Sequence, residues 1–133
     1  MIVLDCSAAV EMTRATSRGL GFRCLMLENE RVIASELFRA EVRNAFWKYV
    51  RAGFLPFDEA EVLIAKALAL VDEFIPLEDN AAESFAEAVR QNHPVYDFFY
   101  LTLARRNAAT LCTADKKLVA LCESMGVNCI REV

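Results

Sequence analysis

A chain of 133 residues, 56% hydrophobic and 26% charged, is long enough to bury a core of its own, which predicts one globular domain over residues 1–133. Its 4 glycines and 3 prolines are too few for a disordered or fibrous protein. The net charge of −4 excludes a basic surface spread over the whole molecule, so any contact with nucleic acid must be local or assisted by a metal ion or a partner chain.

The beginning of the chain and its cysteines indicate a cytoplasmic protein without a membrane span. The first ten residues, MIVLDCSAAV, carry no basic leader typical of a secretory signal. No apolar run approaches the roughly 20 residues that a spanning helix needs. The five cysteines are odd in number and form no C-x-x-C pair, which favours reduced, mostly buried thiols.

Short β-rich segments alternate with helical patterns along the chain. We predict strands at 1–5, 31–35, 74–77, 109–113 and 127–131. Helix signals between them are capping-box spacings at Asp58/Glu61 and Asn80/Glu83, a proline suited to a first helical position at Pro94, and a helix-ending glycine at Gly126. This alternation predicts a parallel sheet covered by helices on both faces.

Parallel sheets place their functional sites in the crevice beyond the carboxyl ends of the strands. Asp5 closes the first predicted strand, and Asp115 follows the strand at 109–113. Both acids are therefore expected at this crevice.

Two further acids point inward from predicted helices. In the helix predicted at 36–51, Glu41 lies at the margin of the apolar face, one turn from Leu37 and Ala45. In the segment HPVYDFFYLTLARR, residues 93–106, Asp97 shares a helical face with apolar residues one and two turns further on.

Each of these acids has an ordinary structural explanation when it is taken alone. Asp5 and Asp115 are each placed to cap the helix that follows. Asp97 falls in a first helical turn, where the macrodipole favours an anion. Glu41 fits a surface ion pair.

Taken together, the four acids predict a metal site. Two carboxylates ~4 Å apart repel each other by about 4 kcal/mol at an effective dielectric constant near 20, so a cluster of them needs a divalent cation. Oxygen-only ligands select Mg²⁺ or Mn²⁺, and zinc is disfavoured because no Cys/His cluster has ligand spacing.

The segments VLDCSA, AEVRNAFWKYVRAGFL, HPVYDFFYLTLARRNAATLCTADKKL and GVNCI resemble the PIN domain, and more narrowly the VapC-type toxins of bacterial toxin–antitoxin pairs. The resemblance covers essentially the whole chain. It departs from the commonest pattern before Glu41, where a frequent proline is missing, and at Lys116 and Lys117, where some relatives carry a further acid.

The resemblance implies a three-layer α/β/α sandwich and a metal-dependent endoribonuclease whose products carry 5′-phosphate and 3′-hydroxyl ends. The acidic residues of the family fall on Asp5, Glu41, Asp97 and Asp115, with accompanying hydroxyls at Ser7 and Thr113. It further implies an RNA substrate, a homodimer, and a cognate antitoxin whose basic side chain enters the acidic site. We expect Asp5, Asp97 and Asp115 to hold Mg²⁺ or Mn²⁺, and Glu41 to complete the site.

The main alternative is a binding module of the same fold that holds metal weakly and pairs with a regulator or RNA. A receiver domain would need a lysine after its last strand, and a haloacid-dehalogenase-like phosphatase would need D-x-D where positions 5–7 are DCS.

We interpret His93 as a cap. A solvated surface is the interpretation for most of the basic residues, with phosphate contact near the crevice as the alternative; they are Arg14, Arg18, Arg23, Arg105, Arg106, Lys116 and Lys117. For the aromatic residues at 46–49 and 98–100, base stacking is the alternative, and their spacing favours core or a subunit contact.

Overall fold

A computed structural model describes residues 1–16, 19–21 and 30–130. Over these residues, five parallel strands form one sheet in the order β3–β2–β1–β4–β5. The strands are β1 (Ile2–Leu4), β2 (Val32–Ser35), β3 (Glu73–Ile75), β4 (Thr110–Cys112) and β5 (Cys129–Ile130). Every predicted strand is therefore confirmed, although each is shorter than predicted, and residue 131 of the last one lies outside the described residues.

The helices that connect the strands fall into two groups. Their bounds are α1 (Cys6–Thr13), α2 (Leu37–Arg51), α3 (Phe57–Ala69), α4 (Ala81–Gln91), α5 (Tyr96–Arg106) and α6 (Lys116–Met125), with a 3₁₀ turn at Leu77–Asp79. Helices α1, α2 and α3 contact one another, whereas α5 contacts α4, α6 and the three central strands. Together with the sheet, these groups form the predicted three-layer α/β/α sandwich.

Strand β1 lies at the centre of the sheet because all three of its residues are apolar and buried. It pairs with β2 on one side, Ile2 opposite Val32, and with β4 on the other, Val3 opposite Leu111. The chain builds β2 and β3 on one side of β1 before it returns to add β4 and β5 on the other. This reversal opens a crevice between the carboxyl ends of β1 and β4.

Two of the predicted helix starts, at Asp58 and Pro94, are wrong, whereas the start at Asn80 is confirmed without its capping-box bond. Helix α3 begins at Phe57 after an extended Pro56, which leaves Asp58 inside the first turn without a capping-box bond. Asn80 does occupy the N-cap of α4, but its amide donates to the Phe99 carbonyl and the Thr102 hydroxyl instead. Pro94 lies before α5, which begins at Tyr96.

Gly126 ends α6 as predicted, with φ at +71°. In the described part of the chain, the helices are all too short or too polar to cross a membrane.

Candidate metal and catalytic centre

The four predicted acids line one cavity of about 840 Å³ at the crevice between β1 and β4. Asp5 follows β1, Asp115 follows β4, Glu41 comes from α2 and Asp97 from the first turn of α5. The cavity thus brings together side chains separated by up to 110 residues, which places the sequence-predicted set at one site.

Asp5 is the most deeply buried of the four, with 6% of its surface exposed. It occupies the N-cap position of α1 but makes no side-chain capping bond. Its Oδ2 instead accepts hydrogen bonds from Ser7 Oγ at 2.6 Å and Thr113 Oγ1 at 2.7 Å. The capping interpretation of Asp5 is therefore wrong, and the two hydroxyls fix its carboxylate.

Burial raises the pKa of Asp5, and the nearby charges of Asp97 and Asp115 raise it further, whereas the hydrogen bonds from Ser7 and Thr113 oppose the shift. The net direction is upward because the hydroxyls carry no charge to offset the cost of burying an anion.

Ser7 and Thr113 also tie the loop after β4 to the start of α1. The backbone amide of Ala114 donates to Ser7 Oγ at 2.9 Å, and the amide of Asp115 donates to Thr113 Oγ1 at 3.0 Å. The two hydroxyl oxygens are 3.2 Å apart. The predicted supporting role of both hydroxyls has a direct structural basis in this network.

Asp115 combines two roles that the sequence left as alternatives. Its Oδ1 accepts from the Lys117 amide at 2.9 Å, which caps α6, and the residue also lines the cavity. Capping holds the carboxylate in one orientation, so the ordinary explanation and the functional one are compatible here.

Glu41 lies half-buried at the margin of α2, where the Tyr100 hydroxyl donates to its Oε1. Burial raises the pKa of Glu41 to about 7; the hydrogen bond from Tyr100 opposes this rise, and the charges of Asp5, Asp97 and Asp115 add to it.

Tyr100 is 1% exposed, and the sequence analysis placed it in the core without assigning it a polar partner. Tyr100 lies three residues after Asp97, on the same side of the helix, and this spacing is the sequence signal for a position beside the four acids.

Asp97 is held by the only histidine of the chain. His93 Nε2 and Asp97 Oδ2 are 2.8 Å apart, and the imidazole edge packs on the Phe98 ring at a centroid distance of 5.6 Å. The prediction that His93 caps a helix is wrong, because its side chain reaches a carboxylate one turn further on rather than a backbone amide.

The donor chemistry of the cavity fits a hard divalent cation. The four predicted carboxylates and that of Glu11 face one space, and in the described ranges no lysine or arginine forms an ion pair with any of the predicted four. In this arrangement, however, no three acidic, histidine or cysteine side chains of residues 1–16, 19–21 and 30–130 converge tightly enough to hold an ion. Because Mg²⁺ keeps several of its waters, water-bridged ligation is compatible with this spacing.

Comparison with known proteins identifies the family. The Mycobacterium tuberculosis ribonuclease VapC12 is 32% identical over 118 residues, which are 89% of this chain and 89% of the relative. The chain belongs to the VapC family. The Pyrobaculum aerophilum ribonuclease VapC3 is 28% identical over 123 residues, 88% of this chain and 91% of the relative. No protein-family model matches the sequence.

Solved structures support the same fold for this VapC-family chain. A Pyrobaculum aerophilum protein superposes with a TM-score of 0.67 at 23% identity over 90% of this chain and 82% of its own. VapBC-1 from nontypeable Haemophilus influenzae gives 0.65 at 17% identity, covering 98% of each chain. VapBC-5 from Mycobacterium tuberculosis, a member of a toxin–antitoxin family, gives 0.63 at 21% over 97% and 96%. The resemblance to VapC-type PIN domains is confirmed.

Among the basic residues of this VapC-family chain, Arg14 donates to the hydroxyl of Tyr49, which lines the cavity. Two arginines of α5 are engaged away from the cavity. Arg105 pairs with Glu83 and Glu87, and the Arg106 guanidinium contacts Glu83 and the Asp79 carbonyl. Lys116 and Lys117 are exposed, as predicted. Arg18 and Arg23 lie outside the described residues.

Three polar residues that the sequence analysis missed also line the cavity: Glu11 of α1, and Asn44 and Lys48 of α2. The last two have a recognisable sequence signal. Their spacing of three and seven residues from Glu41 puts them on its side of the helix, which is the signal that could have found them. Of the aromatic residues, Phe46, Phe98 and Tyr100 are buried as predicted, whereas Trp47 is 53% exposed.

Proposed function

We propose that the chain is a metal-dependent endoribonuclease that acts as the toxin of a toxin–antitoxin pair. The curated relatives named ribonucleases support the activity. The observation that carries the metal dependence is the shared cavity of Asp5, Glu41, Asp97 and Asp115. Asp5 and Glu41 are desolvated and have no lysine or arginine partner among the described residues, and such carboxylates are costly unless an ion offsets their charge.

In this proposal Asp5, Asp97 and Asp115 hold Mg²⁺ or Mn²⁺, directly or through water. When bound, the ion supplies charge stabilisation at the phosphate and makes a water molecule more acidic. Ser7 and Thr113 keep Asp5 oriented, and His93 keeps Asp97 oriented.

Glu41 is suited to accept the proton of the attacking water. Its pKa of about 7 lies near physiological pH, where a general base is most effective, and Tyr100 directs one of its oxygens. Attack of that water in line with the leaving 3′ oxygen would give products with 5′-phosphate and 3′-hydroxyl ends. Histidine is not required as the base.

The partners follow from the same family. We propose a cognate antitoxin that neutralises the cavity with a basic side chain, supported by the toxin–antitoxin systems among the structural neighbours.

We propose a homodimer because Phe85, Val89 and Tyr96 are each more than half exposed, which is a costly surface for a lone chain. Within the described residues no disulfide joins the cysteines, and three of them are buried, which fits a reducing cytoplasm.

The test is RNA cleavage by the purified protein with Mg²⁺ and with EDTA. Asp97→Asn keeps the size of the side chain but removes its charge, and it should abolish cleavage, whereas Asp58→Asn, an exposed acid of α3, should cleave like the wild type. Cleavage that survives EDTA, or an Asp97→Asn variant as fast as the wild type, would refute the assignment.

A second candidate is a PIN-like binding module with little catalytic power. The observation that favours it is that the described acids do not converge into a ready ligand set. The same assay separates the two functions, because a binding module would retain RNA without cutting it at any Mg²⁺ or Mn²⁺ concentration.

A further inference from the structure

The cavity continues beyond the acids along one side of α2. Glu41, Asn44 and Lys48 line it in succession, followed by Ala52 at the end of the helix and Phe54 beyond it. Seven residues of helix separate Glu41 from Lys48, a rise of about 10 Å. The wall therefore runs from an anionic end to a cationic and aromatic end.

Lys48 differs from the neighbouring cations because no described residue binds its ammonium group. Arg14 donates to the Tyr49 hydroxyl at 2.8 Å, and Arg51 stacks on Trp47 at 5.3 Å. Lys48 is exposed and, among the residues that the structure describes, its ammonium forms no ion pair or hydrogen bond. In an acidic cleft on a chain of net charge −4, this ammonium is available to an anion from outside.

Phe54 is 77% exposed although the backbone that carries it is firmly held. Gly53 adopts a φ of +80° after α2, its amide donates to the Val50 carbonyl at 3.1 Å, and the Phe54 amide donates to the Tyr49 carbonyl at 2.9 Å. These two bonds form a Schellman motif. The motif fixes the backbone of Phe54 at the cavity wall, so that its ring is exposed there instead of being folded into the core.

We propose that Lys48 and Phe54 form a nucleotide subsite for single-stranded RNA, in which Lys48 binds a phosphate next to the scissile one and Phe54 stacks on the adjoining base. The inference rests on the proposed nuclease function and specifies its substrate. An unpaired base is required because bases within a duplex do not expose a face for stacking. The cation compensates locally for an acidic site that would otherwise repel the RNA backbone.

The experiment measures binding of a fluorescently labelled single-stranded RNA to the full chain by anisotropy, in EDTA and in Ca²⁺, over a series of salt concentrations. Lys48→Ala should weaken binding about 10-fold at low salt and reduce the slope of log affinity against log salt by about 0.7, the contribution of one phosphate contact in a single strand. Phe54→Ala should weaken binding between about 5-fold and about 100-fold without changing that slope, and Phe54→Trp should restore it.

Matched controls are Lys66→Ala and Phe57→Ala, which remove an exposed lysine and an exposed phenylalanine outside the cavity and should bind like the wild type. A duplex of the same sequence should show no effect of Phe54→Ala. Wild-type affinity and slope in both test variants would overturn the subsite, as would a wild type that binds no RNA in either buffer.

Failure of the subsite and failure of the nuclease proposal give different results. A protein that cleaves RNA while Lys48→Ala and Phe54→Ala keep wild-type binding and kcat/KM would be a nuclease without this subsite. A protein that shows the expected binding losses but never cleaves would retain the subsite and lose the catalytic proposal. Loss of antitoxin binding with unchanged RNA binding would assign the surface to a protein partner and overturn the inference.

Discussion

Two buried acids of this protein, Asp5 and Glu87, are equally inaccessible but have opposite surroundings. Asp5 is 6% exposed and Glu87 is 3% exposed. Glu87 Oε1 accepts from Arg90 at 2.8 Å and from Arg105 at 3.1 Å, whereas Asp5 has two neutral hydroxyls as partners and two further acids nearby. Burial alone therefore does not mark a functional carboxylate.

The difference lies in whether the fold supplies the opposite charge. Between α4 and α5 the protein provides its own cations, so the acids there contribute to helix packing. At the crevice the described residues supply hydroxyl donors that orient an anion but leave its charge uncompensated, and burial raises the pKa values of Asp5 and Glu41. A charge that the fold leaves uncompensated is available to a ligand.

Substitution of Asp5 gives the largest expected effect and the sharpest test of this contrast. Asp5→Asn should reduce RNA cleavage at least about 100-fold, because several kcal/mol of transition-state stabilisation depend on the metal and each 1.36 kcal/mol is tenfold in rate. The same variant should leave the metal-free protein as stable as the wild type or more so, because it removes a buried charge. A fall in both activity and stability would show that Asp5 contributes to packing, as Glu87 does. Activity assays and urea unfolding in EDTA measure the two effects.

The opposite pattern is expected for Arg105, the shared cation of the other region. Arg105→Ala leaves the buried Glu87 with Arg90 alone and should lower the free energy of unfolding by about 2 kcal/mol, with cleavage per folded molecule unchanged. Urea unfolding measures the loss, and Arg43→Ala, which removes an exposed arginine of α2, is the control. An unchanged stability would show that the α4–α5 ion pairs are no more than surface contacts.

Much of this contrast could be predicted from the sequence. The apolar strands, their alternation with helices and the acids after β1 and β4 were enough to place Asp5 and Asp115 at one crevice. The inward spacing of Glu41 and Asp97 correctly added the other two. Periodicity succeeds here because it reports on which side of an element a residue lies, and the parallel sheet then fixes where those sides meet.

The polar partners could not be predicted in the same way. Asn80 had the spacing of a capping box, but Phe99 and Thr102 lie 19 and 22 residues away and offer its amide buried acceptors. His93 had the position of a cap but bonds to Asp97. A single polar side chain chooses its partner by tertiary geometry, which local spacing does not contain. Lys48 was overlooked for a related reason, since its importance depends on which cations are already paired.

Thr113 allows a smaller test that acts through the geometry of Asp5 rather than its charge. Thr113→Val keeps the shape but removes the donor to Asp5 and the acceptor for the Asp115 amide. Mg²⁺ affinity measured by calorimetry should fall between about 10-fold and about 100-fold, the usual cost of losing a group that orients a ligand. Thr110→Val, at the start of strand β4 and outside the cavity, is the control and should bind as the wild type. Equal affinities in the two variants would contradict the orienting role.

The last expected effect is a pH dependence of stability that arises from one of the crevice acids. Glu41 has a pKa of about 7 in the folded protein, above its ordinary value of about 4.3 in an unfolded chain. Between these values the folded state holds a proton that the unfolded state has lost, so the contribution of Glu41 to stability is complete below about pH 4 and disappears as the pH rises through 7. The wild type in EDTA should therefore lose stability relative to Glu41→Gln over this interval, and saturating Mg²⁺ at pH 7.5 should reverse the loss. Glu59→Gln, an exposed acid of α3, should follow the wild type. If the difference in stability between the wild type and Glu41→Gln does not change with pH, the charge of Glu41 is already compensated within the protein. The contrast between the crevice and the α4–α5 region would then not hold for Glu41.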